Sequence, residues 1–451
     1  MSNRFIKQKE PAENDELLGF KAQPWHRWCV LFSFSFLSFS SALMWITFAP
    51  CLYDFVEYYF QSSTTTTINA ISSMSSIYML SYPFVIHFTF RYFEDYKTSQ
   101  GNVPGNGLRR GILIGAVLNA CGAIVRWLGN GPSPAGFAFV FLGQTLAAVA
   151  QAFILSIPPR LAVAWFPENE INLATAIAVS CNSLGIAAGC AWSPLAIQKE
   201  TIEEDIPRLL LMQCLMCLFV LLLICLSFRE SPPYPERIQN EASSSEQIAE
   251  LWKQWPFIYM LVAYAISMGA QCTVVTLLAQ IIMPPFEGRV DERYIGLLGS
   301  MMLLVGALAS VFTGYYLDRT HEYRRVCNML FFITCLSGLG LSVATEQRSL
   351  SGIVVSCGLF GLSSSAIIPA ICQYASELFY PVSEIIPAGY LFTVGNIAGV
   401  LMVAIMGWSQ DEGAKYSMRL PMLGLTLFLF IGAGFMVRVN GQLKRSNASL
   451  L

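Results

Sequence analysis

Amide side chains and one tryptophan lie inside long apolar stretches of this chain, where they could bind a small solute. Polar groups deep in apolar membrane segments are costly, so they usually face a cavity or one another. An amide offers both a hydrogen-bond donor and an acceptor, and an indole face can hold an ammonium group by cation–π attraction. The candidates for such contacts are Trp45, Gln144, Gln151, Asn182, Gln271, Gln280, Gln373 and Asn396.

Each of these residues also has a structural interpretation. Amides can bridge helices through hydrogen bonds, and a tryptophan near a membrane edge is usually an interfacial anchor. His87, in the stretch FVIHFTF, is the only group inside an apolar stretch that titrates near neutral pH. It is either functional or a hydrogen-bonded structural residue. Asn182 and Asn396 are favoured for a cavity because an internal repeat relates their positions.

No pattern typical of an enzyme accompanies these residues. The sequence shows no metal-ligand cluster, nucleophile–base pair or phosphate-binding loop. Cys214 and Cys217 form a CxxC inside the apolar run LLLMQCLMCLFVLLLICL, without a second pair or a flanking histidine. Such cysteines behave as small hydrophobic residues. We therefore expect no catalytic residues, no metal and no cofactor.

The composition places the candidate residues in a membrane protein. Of 451 residues, 55% are hydrophobic and 12% are charged, whereas soluble domains average about 25% charged residues. A soluble surface needs charge to remain solvated, so a soluble protein is excluded. A net charge of −2 without a large basic patch excludes a nucleic-acid partner. The lipid bilayer remains as the surrounding medium.

Twelve apolar stretches are long enough to cross a bilayer, since about 20 apolar residues span its hydrocarbon layer. They are 28–52, 67–91, 110–129, 136–159, 171–197, 208–228, 256–283, 294–317, 326–345, 350–374, 385–408 and 418–438. Of the 27 Lys and Arg residues, 19 fall on one side and 7 on the other, with Arg126 near a span end. Because Lys and Arg concentrate on the cytoplasmic side, both termini are predicted to be cytoplasmic.

A polar segment rich in Pro, Ser and Glu separates the spans into two groups of six, as a linker does. The predicted parts are a cytoplasmic tail 1–27, an N-terminal six-helix half 28–228, a cytoplasmic linker 229–255, a C-terminal six-helix half 256–438 and a cytoplasmic tail 439–451. Segment 13–18 (ENDELL) resembles an acidic dileucine sorting signal. We therefore expect the plasma membrane or a vacuole- or lysosome-type endomembrane.

An internal repeat supports this division. Residues 167–185 (PENEINLATAIAVSCNSLG) and 381–399 (PVSEIIPAGYLFTVGNIAG) align without gaps at a separation of 214 residues. The shared residues are Pro167/Pro381, Glu170/Glu384, Ile171/Ile385, Ala174/Ala388, Asn182/Asn396 and Gly185/Gly399. Spans 5 and 11 are thereby equivalent, so the halves are parallel repeats. Parallel repeats of this kind form the two halves of major facilitator transporters.

The loop between spans 8 and 9 carries a second signal. Its sequence, GYYLDRTHEYRR over 314–325, resembles the major facilitator loop motif Gly-x-x-x-Asp-Arg/Lys-x-Gly-Arg-Arg/Lys. A carboxylate at a helix end can pair with cations on the neighbouring half and latch the closed state. We predict a gating role for Asp318, Arg319, Arg324 and Arg325. The alternative is that the arginines only follow the positive-inside rule.

Several strings of this chain resemble the feline leukaemia virus subgroup C receptor-related family of major facilitator transporters. They include Arg27-Trp28, Ala42-x-x-Trp45, LGQTLAAVAQAFILSIPPRLAVAWF (142–166), ATAIAVSCNSLG (174–185), PFIYMLVAYAISMGA (256–270), TLLAQ (276–280), FEG (286–288) and YPVSE (380–384). The resemblance extends from about residue 27 to 440. It implies transport of choline or ethanolamine, and haem export is also attributed to members.

The resemblance also assigns roles to individual residues. It implies that Trp45 stacks on a cation and that Gln151 and Asn182 line the cavity. Two positions depart from the family pattern. The family's second aromatic residue falls on Cys272, and its span-11 glutamine falls on the shorter Asn396. The incomplete aromatic cage leaves a different small amine, or a larger ligand in the vacated space, as alternatives to choline.

We therefore predict an all-α membrane protein with twelve transmembrane helices and the major facilitator fold. Its function would be transport of a small organic solute, a choline- or ethanolamine-like amine or haem, by alternating access. No Asp or Glu lies in the middle of any span, which favours uniport. The protein would act as a monomer with a small-molecule substrate. The alternative function is a membrane receptor or sensor that has a transporter fold and transports nothing.

Overall fold

The computed structural model of the chain describes residues 24–61, 65–93, 97–98, 101–102, 106–198, 200–228, 244–286, 290, 292–409 and 418–445. The dileucine segment 13–18 and residues 229–243 of the linker lie outside these residues.

Twelve helices of 19 to 29 residues dominate the described part of the chain. In a bilayer each backbone N–H and C=O must be bonded within the protein, so long apolar runs fold as helices. The helices are α1 Pro24–Ile46, α2 Thr65–Phe93, α3 Asn106–Leu128, α4 Pro134–Ala152, α5 Ile171–Ala196, α6 Ile202–Ser227, α7 Trp255–Ile282, α8 Glu292–Thr320, α9 Tyr323–Glu346, α10 Leu350–Leu378, α11 Ile385–Trp408 and α12 Arg419–Arg438. We call α1–α6 the N-terminal half and α7–α12 the C-terminal half.

Eleven of these helices are long and apolar enough to cross a membrane. The remaining long helix, α2, has 29 residues but carries many Ser and Thr residues, which lower its mean hydropathy. The helical count therefore agrees with the predicted all-α architecture.

Short elements connect the long helices. They are the helices Leu52–Phe60, Pro158–Trp165 and Ser244–Leu251, the 3₁₀ turns Glu168–Glu170 and Pro284–Phe286, and the two-residue antiparallel strands β1 Lys97–Thr98 and β2 Gly101–Asn102. Pro158 and Pro159 have no N–H to bond with the preceding turn, so α4 ends at Ala152 and a new helix begins at Pro158. The predicted span 136–159 is thus broken near its end.

The C-terminal boundary of α1 matters for the site. The predicted span 28–52 continues beyond the structure's α1, which ends at Ile46. Trp45 consequently lies in the last turn of α1 rather than in the body of a longer helix. Pro50 is one reason, because it cannot donate a hydrogen bond to the preceding turn. The chain instead turns and starts the short helix Leu52–Phe60.

The hydrophobic cores show how the two halves meet. One large core joins both halves at the end of the bundle where Arg27 and Arg445 lie, with Trp165 and Phe228 from the N-terminal half and Phe257 from the C-terminal half. We call this the terminal end. At the opposite end, separate cores belong to one half each. The halves are therefore packed together at the terminal end and form independent cores at the other.

Candidate functional site

Trp45 is held by its indole N–H while part of its ring remains accessible. The Nε1–H donates to the backbone oxygen of Ser75 in α2 at 3.0 Å, and the residue is half-buried. Gln144 of α4 donates to the backbone oxygens of Met44, Trp45 and Met74 at 3.4, 3.5 and 3.1 Å. Gln144 thus ties the end of α1 to α2, and it acts as a bridging amide.

Gln151 and Asn182 differ in how fully their amides are bonded. The Oε1 of Gln151 is buried without a hydrogen-bond partner in the described chain. Asn182 donates from Nδ2 to the backbone oxygen and hydroxyl of Ser38 at 3.5 and 3.4 Å, which are long hydrogen bonds. Each amide therefore retains hydrogen-bonding capacity that a polar ligand could use.

Three side chains follow one face of α7. Cys272, Thr276 and Gln280 are four residues apart, so they lie above one another on the helix. Cys272 is half-buried, whereas Thr276 and Gln280 are exposed. Cys272 packs closely against Gly399 of α11: a Cβ added to Gly399 would lie 3.3 Å from the Cys272 Cβ, which is a tight contact. The three residues form a polar stripe, which we call the α7 stripe.

Gln373 and Asn396 are both buried, but neither is open to a ligand in this conformation. Gln373 of α10 donates through Nε2 to the Thr175 hydroxyl of α5 and so joins the two halves. Asn396 of α11 donates to the backbone oxygen of Phe392 in its own helix at 3.0 Å. Its repeat partner Asn182 bonds a neighbouring helix instead. In the described chain no hydrogen bond joins two of the seven predicted binding residues.

Asp318 connects the two halves at the terminal end. Its carboxylate accepts hydrogen bonds from the backbone N–H groups of Asn172 and Leu173, each at 2.8 Å, and from the Asn172 side chain at 2.8 Å. These N–H groups belong to the first turn of α5, where the helix dipole attracts negative charge. Asn172 also donates to the Tyr323 hydroxyl at 2.9 Å. A carboxylate of the C-terminal half therefore caps a helix of the N-terminal half.

The three arginines grouped with Asp318 bind within the C-terminal half. Arg319 contacts Tyr315 one turn earlier, and Arg325 pairs with Glu322 at 2.7 Å. Arg324 donates to the backbone oxygen of Val437 at 2.9 Å and to the Asn440 side chain at 3.3 Å. All three are exposed. In this conformation the contact across the halves is made by the carboxylate of Asp318, while the arginines stabilise the ends of α8, α9 and α12.

A second set of contacts across the halves centres on Arg160, which the sequence-based predictions did not include. Its Nη1 donates to the Ser383 hydroxyl at 2.8 Å, and the backbone N–H of Ser383 donates to Gln247 of the short linker helix at 2.8 Å. A lone arginine in the apolar string SIPPRLAVAWF could have indicated this role.

The neighbouring Glu384 is buried beside the same contacts. Burial raises the pKa of its carboxyl, while the positive charges of Arg445 and Arg160 lower it. Arg445, from the segment after α12, also forms an ion pair with the buried Glu377. The repeat-related Glu170 pairs with Arg27 at 3.0 Å. Each repeat glutamate thus lies near an arginine close to one described end of the chain.

His87 also contacts the other half. Its Nε2 lies 3.2 Å from the Tyr390 hydroxyl of α11, and the two rings meet edge to face. His87 is thus a hydrogen-bonded residue between α2 and α11. Ser180 of α5 adds a further link by donating to the backbone oxygen of Ala307 in α8 at 3.1 Å. These contacts join the two halves of the molecule.

The fold and this arrangement define a class of protein. Residues 30–401 match the model of the Major Facilitator Superfamily. Among solved structures, the outward conformation of the transporter FucP superposes with a TM-score of 0.64, 15% identity, and coverage of 90% of this chain and 99% of the other. A bacterial homologue of the iron transporter ferroportin, in an outward-facing state, superposes with a TM-score of 0.70 and 9% identity. The superposition covers 92% of this chain and 99% of the other. These similarities establish the fold of a multi-pass membrane transporter.

Curated relatives narrow the class further. The choline/ethanolamine transporter FLVCR1 of Felis catus is 30% identical over 442 residues, which are 94% of this chain and 74% of the relative. The human choline/ethanolamine transporter FLVCR2 is 28% identical over 437 residues, 94% of this chain and 79% of the relative. The chain belongs to the feline leukaemia virus subgroup C receptor-related family of the Major Facilitator Superfamily. The resemblance found in the sequence is confirmed.

Proposed function

We propose that this protein carries a small amine of the choline and ethanolamine type across a membrane by alternating access. The observation that supports it most directly is the arrangement of the two halves. They are latched at the terminal end by Asp318 and Arg160, and they have separate cores at the other end. Such a molecule can open at either end without unfolding, since the latch consists of hydrogen bonds between two bodies.

In the proposed cycle, the conformation described here receives the substrate from the end opposite the termini. With both termini cytoplasmic, as the distribution of Lys and Arg indicates, this end faces away from the cytoplasm. Release then requires the Asp318 cap on α5 and the Arg160–Ser383 bond to break. The proposed bodies are the halves 28–228 and 256–438, joined by the linker 229–255.

The proposed binding site places one aromatic ring opposite polar groups. Trp45 offers its ring face to an ammonium group, and Gln151 offers an unpaired amide oxygen. Asn182, Cys272, Gln280, Gln373 and Asn396 are the other candidates. The gating set remains Asp318, Arg319, Arg324 and Arg325, with Asp318 as the residue that contacts the other half.

The α7 stripe favours an amine with N–H groups over a quaternary one. A quaternary ammonium has no N–H and depends on several aromatic faces, whereas this chain has Cys272 where the family has its second aromatic residue. A primary ammonium can donate to the Thr276 hydroxyl, the Gln280 amide and the Gln151 oxygen. We therefore propose ethanolamine as the better substrate of the two.

We propose uniport, and the positions of the buried carboxylates support it. The buried Asp205, Asp318, Glu377 and Glu384 all lie near helix ends in the described chain. A carboxylate that carries a proton with the substrate is expected near the middle of the membrane, where substrate and coupling-ion sites meet. We propose transport as a monomer in the plasma membrane or in a vacuole- or lysosome-type membrane.

Uptake of radiolabelled ethanolamine and choline into proteoliposomes tests the proposal. Wild type should take up ethanolamine above protein-free vesicles, at a rate that neither a pH gradient nor a Na⁺ gradient increases. Trp45→Ala should abolish uptake, because the variant loses the ring that holds the ammonium. Trp192→Ala, a half-buried tryptophan near the end of α5, is the matched control. Uptake equal to that of empty vesicles for both amines would exclude this substrate class.

A further inference from the structure

The last turn of α1 ends inside the protein, so its backbone oxygens need partners. A helix leaves its last four carbonyls without intrahelical donors. Here each one has a partner: Leu43 receives the Thr47 hydroxyl at 2.8 Å, and Ile46 receives the N–H of Ala49 at 3.2 Å. Met44 and Trp45, the two between them, bond side chains from other helices. The position of this last turn of α1 therefore depends on residues outside α1.

Arg126 of α3 is one of those residues. Its Nη1 donates to the backbone oxygen of Met44 at 3.2 Å, and its Nη2 donates to the Gln213 side chain at 2.9 Å. Gln213 in turn donates to the Thr47 hydroxyl at 3.1 Å. The guanidinium also lies 4.8 Å from the ring centre of Phe48. Arg126 thus contacts the end of α1 and the turn that follows it directly at Met44 and Phe48, and it reaches Thr47 through Gln213.

The charge of Arg126 is unusual for its position. Its side chain is 1% exposed, and among the described residues no ion pair is formed with it. A buried charge without a counter-ion is costly. The negative end of the α1 dipole and the Phe48 ring supply a compensating environment instead. Removing the guanidinium would leave the Met44 carbonyl with only the longer hydrogen bond from Gln144, at 3.4 Å, inside the membrane.

Gln144 of α4 completes the support. Its amide donates to Met44, Trp45 and Met74, so it joins the end of α1 to α2. The Trp45 indole makes a parallel link by donating to Ser75. Trp45 is thereby held at two places. Gln144 bonds its backbone oxygen, next to the Met44 oxygen that Arg126 bonds, and its indole N–H bonds Ser75 of α2.

We propose that Arg126 is a positioning residue for substrate recognition, which with Gln144 holds the last turn of α1 so that the Trp45 ring faces its ligand. The proposal rests on the proposed binding role of Trp45. It assigns no contact between Arg126 and the substrate. The charge of Arg126 stabilises the C-terminal end of α1. Arg126 affects substrate binding only through the orientation of the Trp45 indole.

The experiment is ¹⁹F NMR of purified protein labelled with 5-fluorotryptophan, in which the Trp45 signal is assigned by its loss in Trp45→Phe. Arg126→Met should shift or broaden the Trp45 signal, because the turn loses a carbonyl donor. Arg126→Lys, which keeps the charge, should restore part of the wild-type signal. Gln144→Met provides a second variant if Arg126→Met does not fold, and it should also disturb the Trp45 signal.

Asn119→Ala is the matched control, since Asn119 lies two turns earlier on the same face of α3 and is buried. It bonds Ser40 and Cys217 rather than the end of α1. It should lower stability without moving the Trp45 signal. An unchanged Trp45 signal in folded Arg126→Met, or in Gln144→Met if the first does not fold, would overturn the proposal.

Transport kinetics provide the functional readout. Arg126→Met should raise the KM for the transported amine about tenfold with a maximal rate close to wild type, because a change of about 1.4 kcal/mol in ligand affinity is tenfold. Arg126→Lys should give a smaller rise, and Asn119→Ala should leave KM unchanged. A KM equal to wild type in Arg126→Met would also overturn the proposal. If wild type transports neither amine, the proposed function fails, while the NMR result still decides whether Arg126 positions Trp45.

Discussion

At the residue scale, the chain combines predictable residue types with contacts that no local pattern shows. Trp45 and Asp318 were selected from the sequence as chemistry-bearing residues, and each lies at a helix end. The partners of these two residues, Ser75 and Asn172, are 30 and 146 residues away. Arg126 and Arg160 were missed because a single arginine in or beside an apolar run does not show which distant groups it contacts. Their roles emerge only from neighbours on other helices.

Cys272 offers a direct test of substrate preference. Cys272→Tyr would place an aromatic face at the position where the resemblance puts the family's second aromatic residue. A cation–π contact contributes about 0.5 to 2 kcal/mol, so we expect the choline KM to fall several-fold. Ethanolamine, which uses hydrogen bonds, should gain less. Competition uptake with both amines measures the ratio, and Cys272→Ala controls for loss of the thiol. An unchanged ratio would show that position 272 does not face the substrate.

Asp318 should control how firmly the terminal end is closed. Asp318→Asn keeps the shape but removes the charge at the α5 N-terminus, where capping interactions contribute about 0.5 to 2 kcal/mol. We expect the closed terminal end to be less populated. Maleimide labelling of a cysteine introduced at Thr175, which is buried between the halves, would measure the change. Arg319→Gln is the control, since Arg319 contacts its own helix. Equal labelling in both variants would argue against a latch.

At the element scale, small residues allow helices of different halves to pack closely. Gly314 of α8 lies so near α5 that an added Cβ would be 2.6 Å from the Ala176 Cβ and 2.6 Å from the Asn172 backbone oxygen. Distances this short require the helices to separate. The sequence marks Gly314 as the first residue of a loop motif, yet the reason for glycine there is visible only from the position of α5.

Gly314→Ala should therefore weaken the packing of α8 against α5. We expect a lower thermal unfolding temperature, reduced uptake, and greater labelling at the introduced Thr175 cysteine. Gly296→Ala, on the same helix with nothing within 4 Å of the added Cβ, controls for the general effect of glycine replacement. If both variants behave like wild type, the closed conformation tolerates more space between the halves than the contacts indicate.

The boundary of α1 shows what limits prediction at this scale. Apolar composition correctly located the helices, because the bilayer requires long helical runs. The apolar run also continues past Ile46, since Phe48 and Ala49 are apolar too. The helix ends where Arg126 and Gln144 can satisfy its carbonyls, and those donors come from α3 and α4. A tertiary contact therefore sets this end, and the position of Trp45 in the fold could not be read from periodicity.

At the scale of the whole molecule, the repeat predicted that α5 and α11 are equivalent helices but not the asymmetry between them. Glu170 and Glu384 lie at equivalent positions. Glu170 is ion-paired with Arg27 and about a quarter exposed, whereas Glu384 is buried at the contact between the halves. The two halves share a fold because they are repeats. The contacts between the halves are not repeated, and they belong to one conformation. The closed terminal end is thus a property of the assembled molecule.

A reversible cross-link tests whether function needs the two halves to move. Thr175 and Gln373 are in hydrogen-bond contact across the halves, so a disulfide between Thr175→Cys and Gln373→Cys should lock the terminal end closed. We expect oxidation to stop uptake and a reductant to restore it. The matched control is Thr334→Cys with Ser363→Cys, whose wild-type hydroxyls are 2.8 Å apart within the C-terminal half. This pair should leave uptake intact. If the locked protein still transports, the halves need not separate at this contact, and alternating access about the Asp318 latch would be excluded.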